Sequence, residues 1–355
     1  MPTTSFPAVI SFGDQQLGRV TLDENNQDSY SKKLSNAVDV QEIDTNLFMS
    51  KQLWIPLGSR GVFGGEIVSQ SLRAAWNTVD DKFYVHSIHC NFLMAGDFEI
   101  PVLYQVQRLR DGRSFATRFV TATQKGKPIF VCSCSFTTAS DAVHLEHMAS
   151  MPTVPDPEDV PNNEQRIQAS LDLHPDAHPL LKMYLEERLK EAVPMEYRDI
   201  RLNDPSVEFM RDAVDPDPRQ YQWFRAKERV ETDDRKVHAC ILAYASDSNL
   251  LATANQANGL SFPSKRVGMM ASLDHSIWFH HPCRADEWLL YDMHSPRSTG
   301  ARGTAFGRIF TRDGILVATT SQEGLIRLRP SEQKRLMEER AALDAKTNLR
   351  RASQL

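Results

Sequence analysis

The chain has 355 residues, 41% of them hydrophobic, and a net charge of −5 with acids and bases well mixed. Length and apolar content suit two packed cores, and no basic field suggests nucleic acid. No apolar run approaches the ~18 residues that span a bilayer, so no membrane segment is expected.

Residues 1–45 read as a loose N-terminal extension. Asp14, Asp23, Glu24 and Asp28 and the lack of an apolar block argue against a secretory or mitochondrial leader. Residues 46–140 read as a first module. The stretch "GEIVSQSLRAAWNT" (65–78) has helical apolar spacing, and strands are expected near 84–93, 100–110, 114–124 and 127–137. The last two flank a short Gly-containing turn, "QKGK", which signals a hairpin. Residues 141–200 read as a linker with an inserted helix. "MPTVPDPEDVPNN" (151–163) holds four prolines, and "HPLLKMYLEERLKEAVP" (178–194) predicts a short helix. Residues 201–330 read as a second module: a strand at 220–230, a buried helix over 238–254, then strands near 272–279, 287–296, 301–311 and 315–327. Residues 331–355 predict a C-terminal helix to about 349 and a tail.

The two modules look alike. "FLMAGDFEIPVLYQV" (92–106) falls on "FHHPCRADEWLLYDM" (279–293), and the same gapless offset carries "PIFVCSCSF" (128–136) onto "ILVATTSQE" (315–323). One helix with four or five antiparallel strands, occurring twice, is an α+β arrangement of a sheet wrapped on a helix.

The five cysteines (90, 132, 134, 240, 283) form no C-x-x-C pair and read as reduced core thiols, with Cys132 and Cys134 on one strand face. His86 and His89, three apart on a strand, are expected on opposite faces, and packing is the plain reading for them and for His280 and His281. No metal site is expected. The helix "HACILAYASDSNLLATA" (238–254) carries Asp247 among apolar residues. A buried carboxylate costs several kcal/mol unless paired or hydrogen-bonded, by order of magnitude. Residue types alone allow two readings: a functional acid, or a local cap on a second helical segment after a break.

The segments "RGVFGGEIVSQSL" (60–72), "VHSIHCNFLMAGD" (85–97), "LRDGRSFATRFVTATQKGKPIF" (109–130), "YASDSNLL" (244–251), "ASLDHSIWFHHPCRADEWLLY" (271–291) and "ARGTAFGRIFTRDGILVATTSQEGLIR" (301–327) resemble the acyl-CoA thioesterase II family. The resemblance covers about 40–138 and 200–328 in family order. It implies a double hotdog fold, hydrolysis of acyl-CoA to free acid and CoA, and a catalytic Asp, hydroxyl and Gln in the second module. These fall on Asp247, Ser272 and Gln322. At the gapless offset the first module has Ser135 in place of Gln322, so one catalytic module is expected.

A thioester suits such a set. The thiolate leaves readily, because a thiol pKa is near 8.5, so the hard step is making water nucleophilic. A buried carboxylate with a raised pKa can take the water's proton, while Gln and Ser hold the water. Backbone N–H groups at Gly64-Gly65 are a candidate oxyanion site beside the plainer reading of a helix-starting turn. No cofactor is expected, CoA being part of the substrate. Its phosphates call for local cations, and Arg60, Arg113 and Arg302 lie beside the motifs. Two other functions stay open. A hotdog enoyl-CoA hydratase would need a His after the Asp in a D-x-N-P-x-H pattern, which "SDSNLLATANQ" lacks. A non-catalytic acyl-CoA-binding protein would fit loss of the polar set, and none is lost. A homo-oligomer is expected. The tail Ser353-Gln354-Leu355 resembles the S-K-L peroxisomal signal with Gln in the basic place, so an import receptor and the peroxisome are expected, otherwise the cytoplasm.

Overall fold

The computed structural model describes residues 10–12, 15–17, 30–139, 145–200, 214–261, 264 and 266–352. A small hairpin, β1 (Ile10–Phe12) and β2 (Gln15–Leu17), stands apart from the main sheet. The first module comprises α1 (Tyr30–Ala37), β3 (Val40–Asp44), β4 (Leu47–Ser50), α2 (Gly64–Trp76), β5 (Phe83–Phe92), β6 (Leu103–Asp111), β7 (Phe115–Gln124) and β8 (Lys127–Thr138). Helices α3 (Asn163–Leu173) and α4 (Pro179–Lys190) follow, and then β9 (Met195–Ile200) and β10 (Arg219–Ala226). The rest is α5 (Arg235–Ser246), α6 (Ala252–Gln256), β11 (Val267–Ser272), β12 (Asp274–Phe279), β13 (Leu289–Thr299), β14 (Arg302–Thr311), β15 (Leu316–Leu328) and α7 (Pro330–Ala352).

Thirteen strands form one antiparallel sheet in the order β3-β4-β6-β7-β8-β5-β12-β15-β14-β13-β10-β9, with β11 also pairing β15. The modules therefore join edge to edge through β5 and β12, which leaves neither of these strands as an open edge. Inside the curl, α2 packs against α5. Helix α2 buries Ile67, Val68, Leu72, Ala75 and Trp76, and α5 buries the run Cys240–Ser246. Both helices are buried nearly all round because sheet and partner helix enclose them, and α2 carries Glu66, Ser69 and Gln70 within that buried surface.

Several expectations change. The segment 141–200, read as linker and helix, ends in a sheet strand: β9 pairs β10. Residues 1–45 contain β3, which pairs β4. The strand expected near 272–279 is β12, and an unexpected strand, β11, precedes it and ends at the break at Leu273. The helix expected over 238–254 ends at Ser246, and Asn249 takes φ +62° before α6 begins. That left-handed residue breaks the helix. His86 and His89 share one face rather than opposite faces. The register shifts between Val85 and Ser87, and this bulge moves His86 onto the outer side with His89. All five cysteines are free thiols. Cys90, Cys132, Cys134 and Cys240 are buried, and Cys132 and Cys134 approach at 3.8 Å between sulfurs.

Candidate active site

Asp247, Ser272 and Gln322 come together where the modules meet. Gln322 Nε2 donates to Asp247 Oδ1 at 2.6 Å and to Ser272 Oγ at 3.0 Å. The amide uses both of its protons and fixes the spacing of acid and hydroxyl.

The strand break builds this arrangement. On β15, Ser321 pairs with Ser276 of β12, but Gly324 pairs with Ser272 of β11, so the register slips by one residue between them. Leu273 lies at the slip, where its N–H donates to Glu323 O at 2.9 Å and its carbonyl accepts from Phe92 N–H at 2.9 Å. Asp274 Oδ1 accepts the Glu323 N–H at 2.9 Å. Gln322, between these pairings, points into the core and is 1% exposed.

Asp247 follows directly on the last turn of α5, with φ −79° and ψ −15°. It does not cap α6, whose N-cap is Leu251 without a side-chain bond. Its carboxylate accepts instead from the Gly65 N–H at the start of α2, in the first module. Two glycines permit this approach. A Cβ on Gly64 would lie 2.6 Å from Asp247 Oδ2, and one on Gly65 would lie 2.2 Å from Tyr244 O. Burial pushes the Asp247 carboxyl up to about 6, and the Gln322 and Gly65 hydrogen bonds oppose that rise.

A buried polar layer supports the end of α5. Tyr291 Oη donates to Ser246 O at 2.8 Å and lies 2.8 Å from Thr320 Oγ1. His275 Nε2 lies 2.9 Å from Ser246 Oγ, and burial lowers this imidazole to about 3, so it is neutral. Tyr197 Oη meets Ser248 Oγ at 2.8 Å.

Asp247 borders a cavity of about 430 Å³, within the usual range for small-molecule sites. Its lining includes Trp54, Phe63, Tyr244, Met269 and Met270. Arg60 also lines it, with Nη2 at 3.4 Å from Gly268 O. Arg113 and Arg302 do not, and Arg302 Nε donates to Glu323 at 3.1 Å. Part of the wall comes from α3 and α4, which sequence reading did not connect to the site.

The first-module counterpart of Gln322 is Cys134, not Ser135. His89 pairs with Ser133 on β8, and its repeat-mate Ser276 pairs with Ser321 on β15. Ser133 therefore matches Ser321, and Cys134 matches Gln322. The second hairpin turn is one residue longer, which a gapless offset misses: Ala122 pairs Phe130, whereas Ile309 pairs Ala318. By the same pairing Val85 matches Ser272. Ser135 faces outward, 2.8 Å from His86 Nε2.

A helix wrapped by an antiparallel sheet, duplicated and fused along one edge, defines a double hotdog protein of the thioesterase class. The family model "Acyl-CoA thioesterase" matches residues 198–325, and "Acyl-CoA thioesterase N-terminal domain" matches residues 52–137. The chain is 40% identical over 303 residues to acyl-coenzyme A thioesterase 8 of Mus musculus, across 85% of this chain and 91% of that protein. It is 28% identical to the peroxisomal acyl-coenzyme A thioester hydrolase 1 of Saccharomyces cerevisiae, across 82% and 94%. The solved acyl-CoA thioesterase II of Mycobacterium marinum superposes with a TM-score of 0.64 at 32% identity, across 84% and 98%. The chain belongs to the acyl-CoA thioesterase family and is a thioester hydrolase.

Proposed function

We propose that acyl-CoA is hydrolysed at one site, with Asp247 as general base for a water held between Asp247 and Ser272. The observation that carries this reading is the bridge from Gln322 Nε2 to both groups, with the acid held near 6. Asp247 takes a proton from water as the oxygen attacks the thioester carbon. The C–S bond then breaks, CoA leaves as thiolate, and the proton on Asp247 returns to it. Ser272 accepts from Gln322 and keeps its own proton to donate to the water. The developing oxyanion is placed at the start of α2, where the Gly64 N–H has no acceptor among the described residues. Arg60, exposed at the cavity, is the cation offered to the CoA phosphates.

A single turnover in ¹⁸O-water tests the mechanism. The expected result is one ¹⁸O in the released acid and no acyl group on the protein. An acyl adduct on Ser272, found by mass spectrometry after quenching, overturns it.

Two further readings belong to the same proposal. The tail Ser353-Gln354-Leu355 lies outside the described residues; its likeness to a peroxisomal signal, and the yeast relative's peroxisomal name, support import. A fluorescent fusion should lose peroxisomal localisation when Leu355 is removed, and unchanged localisation refutes the signal. A homo-oligomer is also proposed, and a monomeric mass by light scattering at micromolar concentration refutes it.

A further inference from the structure

The cavity wall contains a piece that neither family model covers. Residues 138–197 lie between the two matched segments. Helices α3 and α4 fall in this interval and bring Ile167 and Tyr184 to the cavity that Asp247 borders. Ile167 is on the buried face of α3, beside Arg166 and Ser170.

The insert is fastened to both modules. Arg166 Nη1 on α3 meets Asp199 Oδ2 on β9 at 2.7 Å, with both side chains buried. A buried pair of this kind fixes position more reliably than it adds stability. At the other end, the Leu57 N–H in the first module donates to Glu191 Oε1 at 2.9 Å, and Glu191 also pairs with Arg188. The insert therefore links β9 to the loop before α2 across the cavity that Asp247 borders.

Its chemistry separates the two arms of the substrate. The carboxylates it brings to the cavity, Glu164 and Glu191, are engaged by Lys227 and Arg188. A wall that carries two acids and one base, Arg188, gives phosphate groups no net attraction. Its apolar side chains share the cavity with Phe63, Met269 and Met270, and methionines adapt to chains of varied shape. Arg60, on the loop before α2, is the exposed cation of the lining.

We infer that the α3–α4 insert is the acyl-selectivity element of this enzyme: Ile167 and Tyr184 set how far and how wide the acyl chain extends, while the CoA arm leaves on the Arg60 side. This rests on the acyl-CoA reading of the Asp247 site. It assigns substrate choice to residues outside both family models.

The test measures kcat/KM for butanoyl-, decanoyl- and hexadecanoyl-CoA in the parent and two full-length variants of opposite effect. Ile167→Phe fills the cavity, and Tyr184→Ala opens it. The ratio of hexadecanoyl to butanoyl kcat/KM should fall at least about tenfold in Ile167→Phe and rise in Tyr184→Ala, the scale at which apolar pockets discriminate chain size. Inhibition by free CoA should shift by less than about twofold in both. Equal change at every chain length, or an altered CoA inhibition with an unaltered ratio, overturns the assignment. If Ile167→Phe does not fold, the partly exposed Tyr184 decides the matter alone. A parent that releases no thiol from any acyl-CoA strikes the catalytic reading instead, whereas an active parent with unchanged variant profiles strikes only this inference.

Discussion

His89 and Ser276 face each other across the β5–β12 seam, with Nδ1 and Oγ 2.9 Å apart, and they are 187 positions apart, the repeat offset itself. Two equivalent residues paired in antiparallel strands mark a pseudo-twofold axis between the modules. Symmetry supplies a second position for Ser272 and for Gln322, yet both second positions are unequipped. Ser272 and Gln322 are matched by Val85 and Cys134.

The symmetry predicts unequal variants. Gln322→Ala should lower kcat by at least about 10²-fold, since acid and hydroxyl lose the amide that spaces them. Cys134→Ala should leave kcat within a few fold and cost on the order of 1 kcal/mol from lost packing. Thiol release and melting temperature check both, and comparable losses of turnover in the two variants would mean two working sites.

Much of this was legible in the sequence. Apolar spacing over 65–78 predicts α2, which spans Gly64–Trp76, and "QKGK" signals the β7–β8 hairpin. Those signals are local: apolar spacing and turn chemistry. Asp247, Ser272 and Gln322 were found through resemblance, and their mutual distances then came from the fold. What escaped was tertiary. The break at Leu273 depends on a register slip against β15, and the repeat partner of Gln322 depends on one extra turn residue. The contribution of α3 and α4 to the cavity depends on Glu191 reaching the Leu57 N–H, 134 residues away in sequence.

The glycines at the start of α2 should fail differently. In Gly65→Ala the new Cβ meets a backbone carbonyl, Tyr244 O, so α2 and α5 must separate. The expected cost is several kcal/mol, the upper range for overpacking. In Gly64→Ala the Cβ meets the carboxylate of Asp247 and the ring of Phe92, so turnover should fall more than stability. Chemical denaturation beside steady-state kinetics distinguishes the two, and a fully active Gly64→Ala would remove the helix start from the site.

His275 supports Asp247 through Ser246. His275→Leu removes the contact to Ser246 Oγ and should lower kcat about tenfold or more by misplacing the acid, with KM little changed. Because His275 is neutral down to about 3, it adds no limb to the pH profile between 5 and 8. Restored activity in His275→Gln, which keeps a polar atom toward Ser246, would mark the residue as positioning. A loss shared equally by both variants points to packing alone.

With Asp247 as the proposed general base, pH should move activity and stability in opposite directions. Its folded pKa is raised from 3.8 to about 6, so kcat/KM should rise with pH through about 6 and level off above. The folded state binds this proton more tightly than the unfolded chain. Stability from this group is therefore full below about 4 and falls as pH rises to about 6, by on the order of 3 kcal/mol. Asp247→Asn should consequently melt higher than the parent at pH 8, with the difference shrinking at pH 4. A variant that melts lower than the parent at pH 8 would mean the charged form is not disfavoured in the fold.

The most direct single measurement is thiol release from an acyl-CoA at pH 8 by Asp247→Asn, which keeps the shape of the side chain and cannot take a proton. Turnover should fall by at least about 10²-fold in a protein whose melting temperature is no lower than that of the parent. A folded Asp247→Asn protein that releases thiol at close to the parental rate would contradict general-base catalysis by Asp247 and return the residue to a purely structural role between α5 and α2.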